Sequence, residues 1–313
     1  MEPRTCGTTG GRSLNIEAVN RATDAYLSDS DGAATDRLSF LKGLWQIQSE
    51  LEEGTPSYTA PETAEATDAL ATGQPLFLVA PPKIETHPFA AAARRIADYV
   101  ADNAGLDEDE ATALREADFD SVLTDEIVAG ALADIDGFID SVAAALNVGE
   151  ASPLSDVTLI FVLSSALTPF VTGASQSALG ALGDFQWAIW GSGDCPVCGS
   201  AAALGRMTEG SSQQGAERRL WCSACHAEWG YERIRCTRCG SRVQSELRYT
   251  YEENDPSHRL HVCDNCHGYI KFTIESEMDK PLVMVVEEAV SLELDAIARA
   301  NGYSATGEEP AAD

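Results

Sequence analysis

Eight of the nine cysteines in this chain of 313 residues fall into four Cys-x-x-Cys pairs: Cys195/Cys198, Cys222/Cys225, Cys236/Cys239 and Cys263/Cys266. Thiolates at this spacing can hold a soft metal ion, form a thiol–disulfide couple or, where His follows, attach a haem. The intervals between pairs narrow the choice. Cys198 and Cys222 have 23 residues between them, as do Cys239 and Cys263, so C-x2-C-x23-C-x2-C occurs twice, displaced by 41 positions. The flanks repeat as well: Cys195-Pro-Val-Cys-Gly-Ser answers Cys236-Thr-Arg-Cys-Gly-Ser, Cys222-Ser-Ala-Cys-His answers Cys263-Asp-Asn-Cys-His, and Tyr231 matches Phe272. This is an internal repeat. Two facing knuckles per copy make a tetrahedral S4 site, the preference of structural zinc and of mononuclear iron. The expected metal ligands are therefore Cys195, Cys198, Cys222 and Cys225 at a first site, and Cys236, Cys239, Cys263 and Cys266 at a second.

A sub-domain of about 40 residues cannot bury enough apolar surface to fold alone, so metal–ligand bonds have to supply the missing stability. Gly199 and Gly240, each after a second cysteine, suit a knuckle that turns through positive φ and aims backbone N–H groups at sulfur. His226 and His267 occupy that place in the other two knuckles, and His tolerates the left-handed region better than most side chains. The same placement satisfies C-x-x-C-H, the signature of covalent haem attachment. A c-type dihaem reading leaves Cys195/Cys198 and Cys236/Cys239 unexplained and needs an export signal, which residues 1–13 do not resemble. Thiol oxidoreductases place CxxC between a strand and a helix of a βαβ unit, a pattern missing here. Arg233, Arg235, Arg238 and Arg242 around the third knuckle raise a zinc-ribbon nucleic-acid binder; in so acidic a chain they better balance thiolate charge or form a protein interface. Catalytic residues: none is expected. There is no nucleophile elbow or phosphate loop, and His258 and His261 lack a nucleophile partner. His261 ranks below the sulfurs as a ligand because each repeat already supplies four.

Fifty acidic against 21 basic residues give a net charge of −29, yet Cys195 to Lys271 alone sums to +1, with ten basic and nine acidic side chains. The acid belongs to the flanking regions, a solvated surface suited to high salt that repels nucleic acid and anionic membranes at long range. The start of the chain lacks a secretory pattern, no stretch reads as long enough for a membrane span, and the reading is cytoplasmic. Cys6, alone in a Gly/Thr-rich leader, is a bystander.

The elements that must position the cysteines are mostly helical. Apolar residues at three- and four-residue steps predict helices over 14–27 and 34–51, the latter anchored in the core by Trp45. Residues 54–83 read as a surface connection with an apolar island at 76–79. Thr86 caps the next helix, with His87 at its start, and the acidic run 107–110 reads as a helix N-terminus rather than a calcium loop. Helices follow over 121–146, over 153–171 as a buried central helix, and over 180–190, where Trp187 and Trp190 pack against the metal region. Strands are expected at 248–251 and 269–274, and a last helix over 282–300.

Residues 162–169 (VLSSALTP), Cys195-Pro-Val-Cys-Gly-Ser200, Cys222-x-x-Cys225 with Glu228-Trp229, Cys236-x-x-Cys239, Cys263-x-x-Cys266 and the ending Asn301-Gly-Tyr303 together resemble the formate dehydrogenase accessory protein family, FdhE-like. The similarity covers roughly Leu159 to Tyr303. It implies a mainly α amino-terminal helical domain, two small rubredoxin-like or zinc-ribbon-like modules of four cysteines each and a C-terminal helix, α+β overall. Expected boundaries are a leader at 1–13, the helical domain at 14–190, modules at 191–232 and 233–275, the last helix at 276–303 and an acidic tail at 304–313. The resemblance further implies a non-enzymatic cytoplasmic protein that binds the catalytic subunit of a molybdenum- or tungsten-dependent formate dehydrogenase during maturation. Iron of rubredoxin type is favoured at both sites, with zinc possible because S4 ligation serves either. An electron-transfer or redox-sensing protein is the alternative. The partner-binding surface does not carry over to named residues.

Overall fold

The computed structural model describes residues 14–29, 32–149, 152–183, 185–208 and 216–307. The leader with Cys6, and 308–313 of the tail, lie outside the described residues. The chain opens with α1 (Ile16–Leu27), whose cap Asn15 accepts from the Ala18 N–H at 3.1 Å, and α2 (Gly32–Glu52). The stretch read as a surface connection is more ordered than its Pro/Thr/Ala composition suggests. It forms α3 (Thr63–Ala71), which buries Ala66, Ala69 and Leu70, and a single turn, α4 (Leu76–Val79). That turn is held from outside: the Leu76 and Phe77 N–H groups donate to the Pro196 and Val197 carbonyls at 2.9 and 2.8 Å, inside the first cysteine knuckle.

Next come α5 (Thr86–Asn103), with Glu85 rather than Thr86 at the cap position, and α6 (Glu108–Glu116), capped by Asp107. The helix expected over 121–146 is instead α7 (Phe119–Val122), α8 (Asp125–Ala129) and α9 (Ile135–Ala145). Asp118, Thr124 and Asp134 each turn a side chain back onto a backbone N–H three residues on, so three N-caps restart the chain where periodicity alone reads one helix.

The central helix, α10 (Asp156–Ala181), begins after the cap Ser155 and runs ten residues past its expected end, through Pro169. Proline offers no N–H to the carbonyl four residues earlier. Here buried Gln48 of α2 supplies the missing donor, its Nε2 lying 2.9 Å from the Ser165 carbonyl oxygen. At 26 residues, with a mean hydropathy of 1.8 over its best window, α10 is long and apolar enough to cross a membrane by length and composition, which corrects the shorter reading. Its Leu159, Val162, Leu163 and Ala166 are fully buried, and it packs on α2, α5 and α9. The helix expected over 180–190 does not form; α10 stops at Ala181 and Gly183 takes φ +55°.

Beyond it lie β1 (Leu204–Met207), β2 (Arg218–Trp221), β3 (Glu228–Tyr231), β4 (Leu247–Glu252), β5 (Asp255–Cys263) and β6 (Tyr269–Ile274). They join in one sheet of order β3-β2-β1-β6-β5-β4, antiparallel throughout except where β1 runs parallel to β6, Leu204 opposite Lys271. Each cysteine repeat thus contributes a three-stranded ribbon, and the first strand of one copy pairs with the last strand of the other. The closing helix is split at Ser291 into α11 (Met284–Val290) and α12 (Leu292–Ala300).

Three packed regions hold these parts. The largest joins Phe89, Leu163 and Phe170 of the helices with Cys195, Val197, Cys222, Cys225 and Trp229 of the first repeat. A second brings Val19, Leu38 and Trp45 against Trp221 and against Val285 and Val286 of α11, so the two ends of the described chain share a core. A small third region packs Leu260 and Tyr269 of the second repeat on Leu294 and Ala298 of α12. The α+β architecture is the one expected, with the two ribbons fused into a single sheet.

Candidate metal centres

In all four knuckles the first cysteine's N–H donates five residues forward, Cys195 to Ser200, Cys222 to Ala227, Cys236 to Ser241 and Cys263 to Gly268, at 2.7 to 3.0 Å. Closing this loop forces the residue after the second cysteine through positive φ: +83° at Gly199, +75° at Gly240, +57° at His226 and +51° at His267. The His226 ring stacks on Trp221 at 5.3 Å, and burial lowers its pKa to about 4, so it serves as neutral packing.

The knuckles face each other in the order the repeat predicts. Cys195 Sγ lies 3.5 Å from Cys225 Sγ and Cys198 Sγ 3.5 Å from Cys222 Sγ; in the second cluster Cys236 and Cys266 are 3.7 Å apart, and Cys239 and Cys263 3.8 Å. Within each group of four, all sulfurs lie within 4.8 Å of one another. A tetrahedron of sulfurs about 2.3 Å from a central ion has edges of about 3.8 Å, so both groups have the size of an S4 site. A disulfide would require about 2.05 Å. Cys222, Cys225, Cys263 and Cys266 each have a sulfur of the partner knuckle within 3.8 Å, the placement that an S4 site requires.

The two clusters sit in different surroundings. Cys195, Cys222 and Cys225 are fully buried in the main core, where the Ser175 hydroxyl of α10 lies 3.6 Å from Cys225 Sγ and the Val197 N–H donates to Cys195 Sγ at 3.4 Å. Burial pushes the Cys195 thiol well above the usual range, and contact with the neighbouring thiols does so at Cys222. A bound cation would reverse this by favouring the thiolates, with release of protons. The second cluster is nearer solvent, with Cys239 exposed. There the Arg238 N–H donates to Cys236 Sγ at 3.3 Å and the Asn265 amide to Cys239 Sγ at 3.4 Å.

Of the remaining candidate residues, none joins a cluster. His261 is stacked on Phe272 at 4.4 Å, and burial, with Arg218 and Arg259 nearby, lowers its pKa to about 3. His258 bridges two carboxylates, Asp255 at 2.7 Å and Glu287 of α11 at 2.8 Å, and Glu287 also accepts from the Tyr26 hydroxyl of α1 at 2.8 Å. Trp190 Nε1 donates to the Asp194 carbonyl, and Trp187 covers Gly230, where a Cβ would meet its ring at 2.8 Å. Arg238 is aimed inward, to the Ala202 and Tyr269 carbonyls at 2.9 and 3.4 Å, whereas Arg242 pairs outside with Glu232. Ser175, Asn265 and the Tyr26–His258–Glu287 bridge carry no sequence signal, because their partners lie 26 to 261 positions away.

Residues 194–233 match the family described as FdhE, central domain. The chain is 33% identical over 117 residues to the "Protein FdhE homolog" of Shewanella oneidensis, 37% of each chain. It is 33% identical over 161 residues to that of Pseudomonas aeruginosa, 45% of this chain and 48% of the relative, and 30% identical over 150 residues to that of Aquifex aeolicus, 48% and 50%. The matches span half or less of these relatives' length. In three dimensions the likeness is broader. The crystal structure of the FdhE protein from Pseudomonas aeruginosa superposes with a TM-score of 0.58 at 20% identity, over 94% of this chain and 93% of that one, a likeness of fold. Over residues 194–233 the chain matches the FdhE central domain in sequence, and over nearly its whole length it shares the fold of an FdhE protein.

Proposed function

We propose that the chain is a non-enzymatic accessory protein that binds the catalytic subunit of a formate dehydrogenase during its maturation. The eight paired cysteines hold two metal ions, with iron favoured over zinc. The observation that carries this reading is the pair of equivalent S4 clusters in one sheet, one of them inside the core shared with the helical domain. Such an arrangement makes a rigid platform, and a bound ion would act as a cross-link between knuckles far apart in sequence. The helical region at 14–190, the modules at 191–232 and 233–275 and the helix at 276–303 would work as one body in a reducing, cytoplasmic setting. Anaerobic purification followed by metal analysis and a visible spectrum tests the ligand assignment, with two ions per chain expected; a metal-free preparation would remove it. Copurification with the formate dehydrogenase subunit, weakened when Cys236 and Cys239 are replaced by Ala, tests the docking role.

Exposure of Cys239 favours one further reading, an iron centre at the second cluster that exchanges electrons or senses redox state. A protein carrying zinc alone with full biological activity would exclude it.

A further inference from the structure

Arg233 opens the second cysteine module, is exposed, and its guanidinium has no hydrogen bond or ion pair among the described residues. The backbone that carries it is held firmly. Arg218 is buried, and its Nη1 lies 3.2, 3.3 and 2.7 Å from the carbonyl oxygens of Glu232, Arg233 and Arg235. Burial lowers the Arg218 pKa only to about 10, so the clamp stays charged. Three residues beyond Arg233 the chain enters the second cluster at Cys236. A loop fixed from both sides thus presents an unpaired cation to solvent, where a partner of opposite charge can reach it.

Arg233 also borders cavities on two sides. One, of about 640 Å³, includes Trp187, Tyr231, Arg235 and Arg242; the other, of about 510 Å³, includes Ile234, Tyr249 and Arg259. Arg235 lies 5.6 Å from the Tyr231 ring centre and Arg259 5.3 Å from that of Tyr249. Ile234 is 49% and Tyr249 58% exposed. Six arginines line the two cavities against two glutamates, Glu217 and Glu232; Arg242 is tied to Glu232 at 2.9 Å and Arg219 to Glu228, which leaves Arg233, Arg235 and Arg259 without an acidic partner among the described residues. The whole chain has a net charge of −29. A local reversal of charge, mixed with exposed Tyr, Ile and Arg, has the composition of a protein-binding hot spot.

We infer that this surface, centred on Arg233, docks an acidic segment of the client polypeptide that also carries apolar side chains. The inference rests on the accessory reading above and names the chemistry of its partner. Charge complementarity supplies the sign of the occupant, and Ile234 and Tyr249 supply its apolar contacts. A nucleic acid would meet the surrounding acidic surface along its length. A single phosphate calls for several free donors converging on one point, whereas in the larger cavity Arg218 is turned to backbone carbonyls, Arg219 to Glu228 and Arg242 to Glu232. Because Arg233 and Arg235 lead directly to Cys236, the second metal would order the docking surface rather than touch the client.

The test uses the full-length metal-loaded protein, Arg233→Glu and Tyr249→Ala, with metal content and thermal unfolding measured for each. Binding is followed to the purified formate dehydrogenase catalytic subunit and, by fluorescence anisotropy, to a labelled Glu/Leu-rich peptide at low salt. Both variants should keep both metals and bind subunit and peptide at least roughly tenfold more weakly, and the wild-type affinity should fall steeply with salt. If the subunit binds wild type and Arg233→Glu equally, the docking surface is wrong and the accessory reading stands. Should wild type bind the peptide through Arg233 but not the subunit, the accessory reading fails and the acidic-segment surface is kept. Equal competition by single-stranded RNA or by inorganic phosphate overturns the assignment to a polypeptide.

Discussion

His258 ties three distant parts of the chain together, and its protonation should be visible in the stability of the whole protein. The ring is 6% exposed. Burial disfavours its cationic form, but hydrogen bonds to Asp255 and Glu287, and the charges of both, prevail and raise its pKa to about 9 from the ordinary 6.5. Facing it are Asp255 on β5, Glu287 on α11 and Tyr26 on α1, with Lys280 Nζ 5.3 Å from the centre of the Tyr26 ring. Burial and the Glu287 charge raise the Tyr26 pKa, so its hydroxyl remains a donor. The folded pKa lies above the unfolded one. The contribution is therefore complete below about pH 6.5 and declines as pH rises through 9. A displacement of about 2.5 pH units at 1.36 kcal/mol each corresponds to about 3 kcal/mol for the proton on this ring. The measurement is urea unfolding of wild type and His258→Gln at constant ionic strength from pH 6 to pH 10. Subtracting the variant removes the cysteines and other groups common to both. The difference in unfolding free energy should shrink by about 3 kcal/mol across that range, most of it between pH 7 and 9.5. A difference independent of pH would refute a charged His258 bridging two carboxylates, and one that grows with pH would reverse the sign of the reasoning.

Replacing Gln48 with Leu leaves the buried Ser165 carbonyl without the donor that Pro169 denies it, and should cost about 1–3 kcal/mol, read as a lowered midpoint of chemical unfolding with the helical content of the native state unchanged. A chelator with coloured metal complexes should withdraw metal in two phases, the faster from the cluster containing exposed Cys239. Cys236→Ala with Cys239→Ala should abolish that phase and keep one ion per chain; a single phase in wild type would contradict the difference in burial between the clusters.

Much of the site was legible because its signal is local and doubled. A Cys-x-x-Cys turn is a four-residue object, and its forward N–H bond explains why Gly or His follows the second cysteine, as at Gly199 and His226. Helices with strong periodicity, such as α1, were legible for the same reason. The breaks were not. Asp118, Thr124 and Asp134 each had an ordinary sequence context, and only their side chains folding back onto the next turn made them caps. Within residues 54–83, the turn at Leu76 and Phe77 is held by the carbonyls of Pro196 and Val197, more than 100 positions away. Composition cannot report a partner at that distance.

What the sequence determined alone is the pairing logic: two copies of one spacing, each with four sulfurs, and a neutral metal region inside an acidic chain. Those follow from residue type and interval, which backbone stiffness converts directly into local geometry. The tertiary structure decided how the copies differ. Parallel pairing of β1 with β6 fuses them into one sheet, and α10 seals the first cluster with Ser175 while the second is left beside solvent and the arginines. Identical knuckles acquire unequal surroundings because burial is set by what packs against them, and that is a property of the whole fold.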